Sequence, residues 1–173
     1  MNSKQKNFIS CVVYLHNEGE RLLSFLEEIN RLLEENFEKY EIICVDDASY
    51  DDSATLLQKY MDACEKSRPI SLVHMSYYQG KEASMNAGRD LAVGDYVFEF
   101  DDAFMDYEPG LIMEVYQRAL EGNDIVAAAP KIIFPYPPVC FIGFIIGGIN
   151  LPINYSTKDF EWYPDVRSTG LDR

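Results

Sequence analysis

Cysteine is scarce in this chain and never closely paired. Of 173 residues only Cys11, Cys44, Cys64 and Cys140 are cysteines, and no two form a CxxC. That argues against a disulfide scaffold or a cysteine metal cluster as the organising principle. Cys11 and Cys44 lie inside apolar runs and read as buried free thiols of a reducing cytosol. The two histidines, His16 and His74, lack ligand spacing, so no zinc site is expected. Basic residues are also in deficit: 15 against 29 acids, a net charge of −14. A general nucleic-acid binder needs a basic footprint, and docking on anionic lipid needs one too. A phosphorylated ligand stays compatible, because backbone NH groups, one lysine or a metal can bind phosphate against the global field. Long hydrophobic runs are missing. The most apolar stretch, "VCFIGFIIGGI" (139–149), is half the ~20 residues a spanning helix needs. "MNSKQKNFIS" has no apolar h-region, so no signal peptide is expected. No GxGxxG or GxxxxGK[ST] follows a strand-like run, which counts against dinucleotide and P-loop sites.

What is present is a regular alternation. "FISCVVYL" (8–15), "YEIICVDD" (40–47), "PISLVHM" (69–75), "DYVFEF" (95–100) and "DIVAAAP" (124–130) read as five strands. Between the first two, Leu22, Phe25, Leu26, Ile29, Leu32, Leu33 and Phe37 recur at helical spacing, which predicts a helix over about 18–36. Asp51, Asp52 and Ser53 offer N-cap chemistry for a second helix. "KEASMNAGRDLAV" and "PGLIMEVYQRALEG" predict two more, the last ended by Gly122. Strands alternating with helices of this length imply crossovers and a mainly parallel sheet, an α/β fold with helices on both faces. One domain fits 1–135. From Pro135 neither period is clean, and "PYPPVCFIGFIIGGINLP" carries four prolines and three glycines. The segment 136–173 is therefore expected to be a separate acceptor-side, docking or assembly element. Its apolar 139–149 stretch would dock on the domain, on a second copy in a homo-oligomer, or on a membrane surface.

In an open parallel sheet, ligands bind outside the carboxyl ends of the strands. Here those ends read "YLHNEGE", "VDDAS" and "DDAFMD", and the third loop contributes "QGKEASMNAG". Each is explicable singly as a cap or a turn. Four of them on one rim suggest a polar ligand site. Adjacent carboxylates at the end of a buried strand call for a cation, and the residues alone leave open whether it is a metal ion.

These stretches resemble the successive signatures of the family 2 glycosyltransferases. "CVVYLHNEGE", "YEIICVDDASYDDS", "QGKEASMNAG" and "GDYVFEFDDAF" are similar to that family's VVPxYNE, VDDGSxDxS, GxxxAxNxG and GDYxxxLDxDD. The resemblance runs from residue 8 to about 130. "EGNDIVAAAP" and "LPINYSTKDF" are similar, more loosely, to the polyprenyl- or dolichyl-phosphate branch. It implies the GT-A fold of nucleotide-diphospho-sugar transferases and a Rossmann-like sheet. It also implies a UDP-, GDP- or dTDP-sugar donor, a Mg2+ or Mn2+ ion, and a polyprenyl-phosphate or saccharide acceptor in surface-polysaccharide synthesis. A cytoplasmic site, at the inner face of the membrane, goes with it. No nucleic-acid partner is implied.

By the same resemblance, Tyr14, Leu15, Asn17 and Glu18 border the nucleotide. One of Asp46 and Asp47 accepts a hydrogen bond from the base while the other shapes the turn. Lys81 approaches the diphosphate, and Asn86 and Gly88 either pack the helix or touch the ligand. The family's DxD falls on Asp101-Asp102-Ala103, so Asp101 is the main metal and catalytic residue and Asp102 its helper. Ala103 stands where the last acid belongs. A slip to Glu99-Phe100-Asp101 keeps the same spacing as an alternative. Asp159 is the candidate general base, with Glu161 and Asp165 nearby. The branch reads "DFRLLSR" where this chain reads "DFEWYPDVR", placing Glu161 at an arginine position and leaving Arg167 as a substitute. The expectation is a truncated or diverged copy. The competing expectation is a degenerate GT-A domain that binds nucleotide or a protein without turnover.

Overall fold

The computed structural model describes residues 3–63, 69–105, 107–121, 125–128, 142–146 and 167–169. Elements run β1 (Gln5–Leu15), α1 (Arg21–Asn36), β2 (Phe37–Asp46), α2 (Ser53–Ala63), β3 (Ile70–His74), α3 (Lys81–Leu91), β4 (Tyr96–Phe100), α4 (Gly110–Leu120), β5 (Ile125–Ala128), β6 (Ile142–Ile146) and β7 (Arg167–Thr169). They form one seven-stranded sheet of order β3-β2-β1-β4-β6-β5-β7. The pairs β3–β2, β2–β1 and β1–β4 are parallel, so the four strands end on one rim.

Period-two alternation sorts the strand residues onto two cores. Ile9, Cys11, Val13 and Leu15 of β1, Ile42 and Cys44 of β2, and Phe98 and Phe100 of β4 face α1, α2 and α4. Val12, Tyr14, Ile43 and Val45 face α3 through Met85. Helices thus cover both faces, three on one and α3 on the other. Gly88 lets α3 lie close: a Cβ there would overlap Val12 Cγ1 and come within 2.8 Å of Val45 Cγ2. This is packing, one of the two readings of the NxG.

Two expectations change. Phe37 does not close the helical stripe. Asn36 Nδ2 donates to Leu32 O at 2.8 Å, which satisfies a carbonyl at the helix end, and Phe37 opens β2 with extended backbone. It still reaches the same core, edge-on to Tyr116 at 5.0 Å between ring centroids. The second change concerns the sheet. β5 runs in the direction of β4 but is not its neighbour, because β6 lies between them, antiparallel to both. Residues 142–146, inside the apolar stretch expected to dock somewhere, are backbone-paired to the domain's own sheet, with Gly143 opposite Glu99. Arg167–Thr169 pairs with β5 in turn. Among the described residues, no helix is long and apolar enough to cross a membrane.

Cys11 and Cys44 are buried free thiols. Burial, reinforced by Cys44, pushes the Cys11 thiol well up, and burial alone pushes Cys44 up to about 12. Both are therefore protonated and chemically quiet.

Candidate active site

The rim is assembled by hydrogen bonds between loops. Asp47, fully buried at the end of β2, accepts from Gln79 N and Gly80 N at 2.8 Å and from Tyr14 OH at 3.1 Å. One carboxylate therefore fixes the loop before α3 and a β1 side chain at once. Burial, then the Asp47 charge, raises the Tyr14 hydroxyl above its ordinary range, so Tyr14 acts as a neutral donor. Asp46 is equally buried. Its Oδ1 accepts from Ser49 N at 3.2 Å, and its Oδ2 lies 2.6 Å from Nδ1 of the exposed His74. The sequence leaves open which aspartate meets a base and which shapes the turn. In this structure both Asp47 oxygens accept hydrogen bonds, whereas among the described residues Asp46 Oδ2 has only the approach of His74 and no hydrogen bond.

The β1 and β2 loops are laced together as well. Asn17 N donates to Ser49 Oγ and Tyr50 N to Asn17 Oδ1, both at 3.0 Å. Gly19 N donates to Asp51 Oδ2 at 3.1 Å and to Ser53 Oγ at 2.9 Å. Although its partial burial works the other way, these bonds with those from Ser53 hold the Asp51 carboxyl below the usual range. Two non-glycine residues here have left-handed backbones, Asn17 at φ 60° and Ala48 at φ 51°. Asparagine tolerates that region, whereas alanine occupies it at a cost of about 1–2 kcal/mol. Ala48 occupies the glycine position of VDDGS, so the backbone turn survives while its customary residue does not.

Leu15 closes β1 within the core, and its carbonyl accepts from Asp47 N at 2.9 Å. Glu18 is buried beside Arg21, Oε2 to Nη2 at 2.6 Å. Burial raises its pKa, Arg21 opposes that, and Asp102 across the rim adds to it. Arg21 also lies 5.9 Å over the Phe104 ring, linking the β1 and β4 loops. Arg21 was not singled out from the sequence. Its i,i+3 spacing from Glu18 was the available signal. The same holds for an aromatic patch: Tyr78 and Tyr50 flank His16 with ring centroids at 4.8 and 5.9 Å, and both tyrosines are largely exposed.

At the end of β4, Asp101 is mostly buried and its Oδ2 lies 3.1 Å from Lys81 Nζ. Asp102 Oδ1 accepts from Phe104 N at 3.1 Å. Ala103 is packed in the apolar core with α1 and α4. Glu99, the acid of the alternative register, sits below the rim. It is buried, and both its oxygens face Arg89 Nη1, at 3.0 and 3.3 Å. Among the described residues no three His, Cys, Asp or Glu side chains gather to hold a metal by themselves. Two adjacent carboxylates remain. As hard oxygen donors they fit Mg2+ or Mn2+, ions that draw much of their shell from water and substrate phosphates. Asp159, Glu161 and Asp165 lie outside the described residues.

The comparisons bear on family and fold. The sequence model for glycosyl transferase family 2 matches residues 10–166. An uncharacterized glycosyltransferase of Synechocystis sp. is 35% identical over 123 residues, covering 71% of this chain and 37% of that protein. The undecaprenyl-phosphate 4-deoxy-4-formamido-L-arabinose transferase of Aeromonas hydrophila is 29% identical over 126 residues, 73% of this chain and 38% of its own. The chain thus spans a little over a third of the length of these relatives. A mannosyltransferase from Pyrobaculum calidifontis, solved with GDP-Man and Mn2+, superposes with a TM-score of 0.62 at 18% identity, over 74% of this chain and 36% of that one. At that identity the likeness shows a shared fold, the GT-A fold. With the profile spanning nearly the whole chain and the four rim motifs in register, the chain belongs to glycosyl transferase family 2.

Proposed function

We propose that the chain transfers a sugar from a nucleotide-diphosphate sugar to a lipid-phosphate acceptor of the polyprenyl type, with a growing surface saccharide as the other acceptor class. The observation that carries this reading is the rim at the ends of β1, β2 and β4. There Asp101 stands against Lys81, and the buried Asp47 fixes the loop that presents Lys81. The aromatic faces of Tyr50 and Tyr78 lie beside this rim, suited to stacking on a base. The named activities of the relatives support the choice of donor and acceptor classes.

In this reading Asp101, with Asp102 as helper, would hold Mg2+ or Mn2+. The ion would supply Lewis-acid stabilisation of the charge left on the diphosphate. Lys81 binds that diphosphate directly. Tyr14, Asn17 and Glu18 wall the nucleotide side, Leu15 backs them from the core, and Asp46 and Asp47 keep the loops in place. A polyprenyl phosphate is already anionic near neutral pH, so it attacks the sugar carbon with little need of a base. A hydroxyl acceptor would need one, and Asp159 is the assigned candidate. The site would work on the cytoplasmic side, at the inner face of the membrane.

The deciding experiment incubates the folded chain with UDP-, GDP- and dTDP-sugars, Mn2+ and undecaprenyl phosphate, and follows nucleoside diphosphate release. Binding of at least one donor and its turnover are expected. No donor binding by a folded chain refutes the reading. Ala103, packed in the core, favours a second one: a degenerate domain that binds donor without turnover. Donor binding with neither transfer nor hydrolysis would select it.

A further inference from the structure

The rim is poor in cations. The loops 16–20, 47–52, 75–80 and 101–105 contain seven acids, Glu18, Glu20, Asp47, Asp51, Asp52, Asp101 and Asp102, and no lysine or arginine. The chain as a whole carries −14. A diphosphate entering this field needs positive charge at a definite place. The two cations bordering these loops open helices: Arg21 starts α1 and Lys81 starts α3. Arg21 is committed to buried Glu18 and lies over Phe104. Lys81 is differently placed. Its Nζ is held between Asp101 at 3.1 Å and the face of the Tyr14 ring at 5.5 Å. Both holding groups come from central strands, and Tyr14 is itself pinned by Asp47.

Resting on the diphosphate-donor reading, we propose that Lys81 is a built-in counter-cation that shares Asp101 with the divalent ion. In the empty site the ammonium neutralises the carboxylate that would otherwise bind metal. When donor arrives, the ammonium turns to the diphosphate and exposes Asp101 to the ion. The half-exposed Lys81–Asp101 pair is weak enough to exchange, since such pairs are worth little in water. A lysine head has three donors and can touch carboxylate and phosphate together. The arrangement also offsets Ala103. With one acid fewer at the metal, more of the phosphate charge falls to the lysine. Two consequences follow. Nucleoside diphosphate binding retains a metal-independent part. Metal alone binds poorly, because it must displace Lys81.

The test uses the full chain, with Lys81→Gln, Lys81→Arg and Asp101→Asn, each checked for folding by circular dichroism. UDP and GDP are titrated calorimetrically in EDTA and again in Mn2+, and Mn2+ alone is titrated by electron paramagnetic resonance. Wild type should bind a diphosphate in EDTA. Lys81→Gln should weaken that binding about ten-fold or more, the size of one lost charge-assisted hydrogen bond. It should tighten Mn2+ alone several-fold. Lys81→Arg should keep diphosphate binding, and Asp101→Asn should lose Mn2+ while keeping binding in EDTA. Diphosphate binding only with Mn2+, or Mn2+ affinity unchanged in Lys81→Gln, overturns the inference and leaves the proposed function standing. No diphosphate binding under either condition overturns both.

Discussion

Asp47→Asn is the most informative single change at the rim, because it keeps the shape and removes the charge. Asp47 accepts three hydrogen bonds, Gln79 N at Oδ1 and both Gly80 N and Tyr14 OH at Oδ2. An asparagine has one carbonyl oxygen. In its better orientation that oxygen keeps the bonds to Gly80 and Tyr14, while its NH2 is turned toward Gln79 N, donor against donor. One charge-assisted bond is lost and the other two become neutral. Hydrogen bonds to charged groups contribute about 1.5–3 kcal/mol and neutral ones about 1, so the sum is a loss of roughly 2.5–7 kcal/mol. Removing a buried charge from an acidic chain returns part of that, leaving about 2–5 kcal/mol.

The loss should be local as well as global. Gln79 and Gly80 directly precede Lys81, so freeing them releases the position of the lysine. Urea unfolding followed by far-UV circular dichroism gives the stability. Amide hydrogen exchange at residues 79 and 80 gives the loop, and a nucleoside diphosphate titration gives the site. All three should worsen together. A variant within about 0.5 kcal/mol of wild type, the range of ordinary surface substitutions, with unchanged exchange at 79 and 80 would refute the role of Asp47 as the clip. Loss of nucleotide binding without any change in stability or exchange would instead make Asp47 a direct ligand of the base.

Arg89→Met should strand the buried Glu99 and cost about 3–5 kcal/mol at pH 7, the usual penalty for half of a buried ion pair. Burial, opposed by Arg89, already raises the folded-state pKa of Glu99. A raised carboxyl favours the fold most when protonated, so the penalty should shrink as pH falls through the glutamate range, measurable by urea titrations at pH 7 and pH 4. A pH-independent penalty would contradict the assignment. Gly88→Val should destabilise by more than about 2 kcal/mol, because its Cβ meets Val12 and Val45 where α3 lies on the sheet. Thermal unfolding unchanged from wild type would mean that α3 does not lie so close. Ala48→Gly should stabilise by about 0.5–1 kcal/mol, the left-handed penalty of alanine less the extra chain entropy of glycine. A loss of stability would refute the strain.

Much of the fold was legible because its signals are local. The five expected strands and four expected helices each carry a local signal, an apolar run, a helical stripe or a cap. That β1 to β4 run parallel follows from crossovers of that length, while their order β3-β2-β1-β4 does not. β6 was not legible. Its IGFII is a short apolar run among glycines, and nothing local says that it inserts antiparallel between β4 and β5. Strand partnership is a long-range fact. At the site, the sequence marked Asp46, Asp47, Lys81, Asp101 and Asp102, yet not what each would touch. That Asp47 faces inward to Tyr14 and two amides is a set of contacts distant in sequence, which a pattern cannot display. Arg21 and the Tyr50–Tyr78 patch were missed because their neighbours come from other loops.

The same contrast bears on Ala103. Read as a motif, it is a missing ligand. In the fold, it is a core residue: Ala103 is buried in the same apolar cluster as the inward faces of α1 and α4. An acid there would be desolvated, at a cost of several kcal/mol unless a cation met it. Sequences with an acid at that place must keep the segment turned toward the ion. Here an apolar side chain lets it settle into the core instead. In the proposed function the exchange would trade a metal ligand for packing, and the demand for positive charge would fall on the same strand end, where Asp101 already holds Lys81. If the proposed function holds, Ala103 and Lys81 are one feature, in which fewer acids at the ion and a lysine on the diphosphate would compensate for each other.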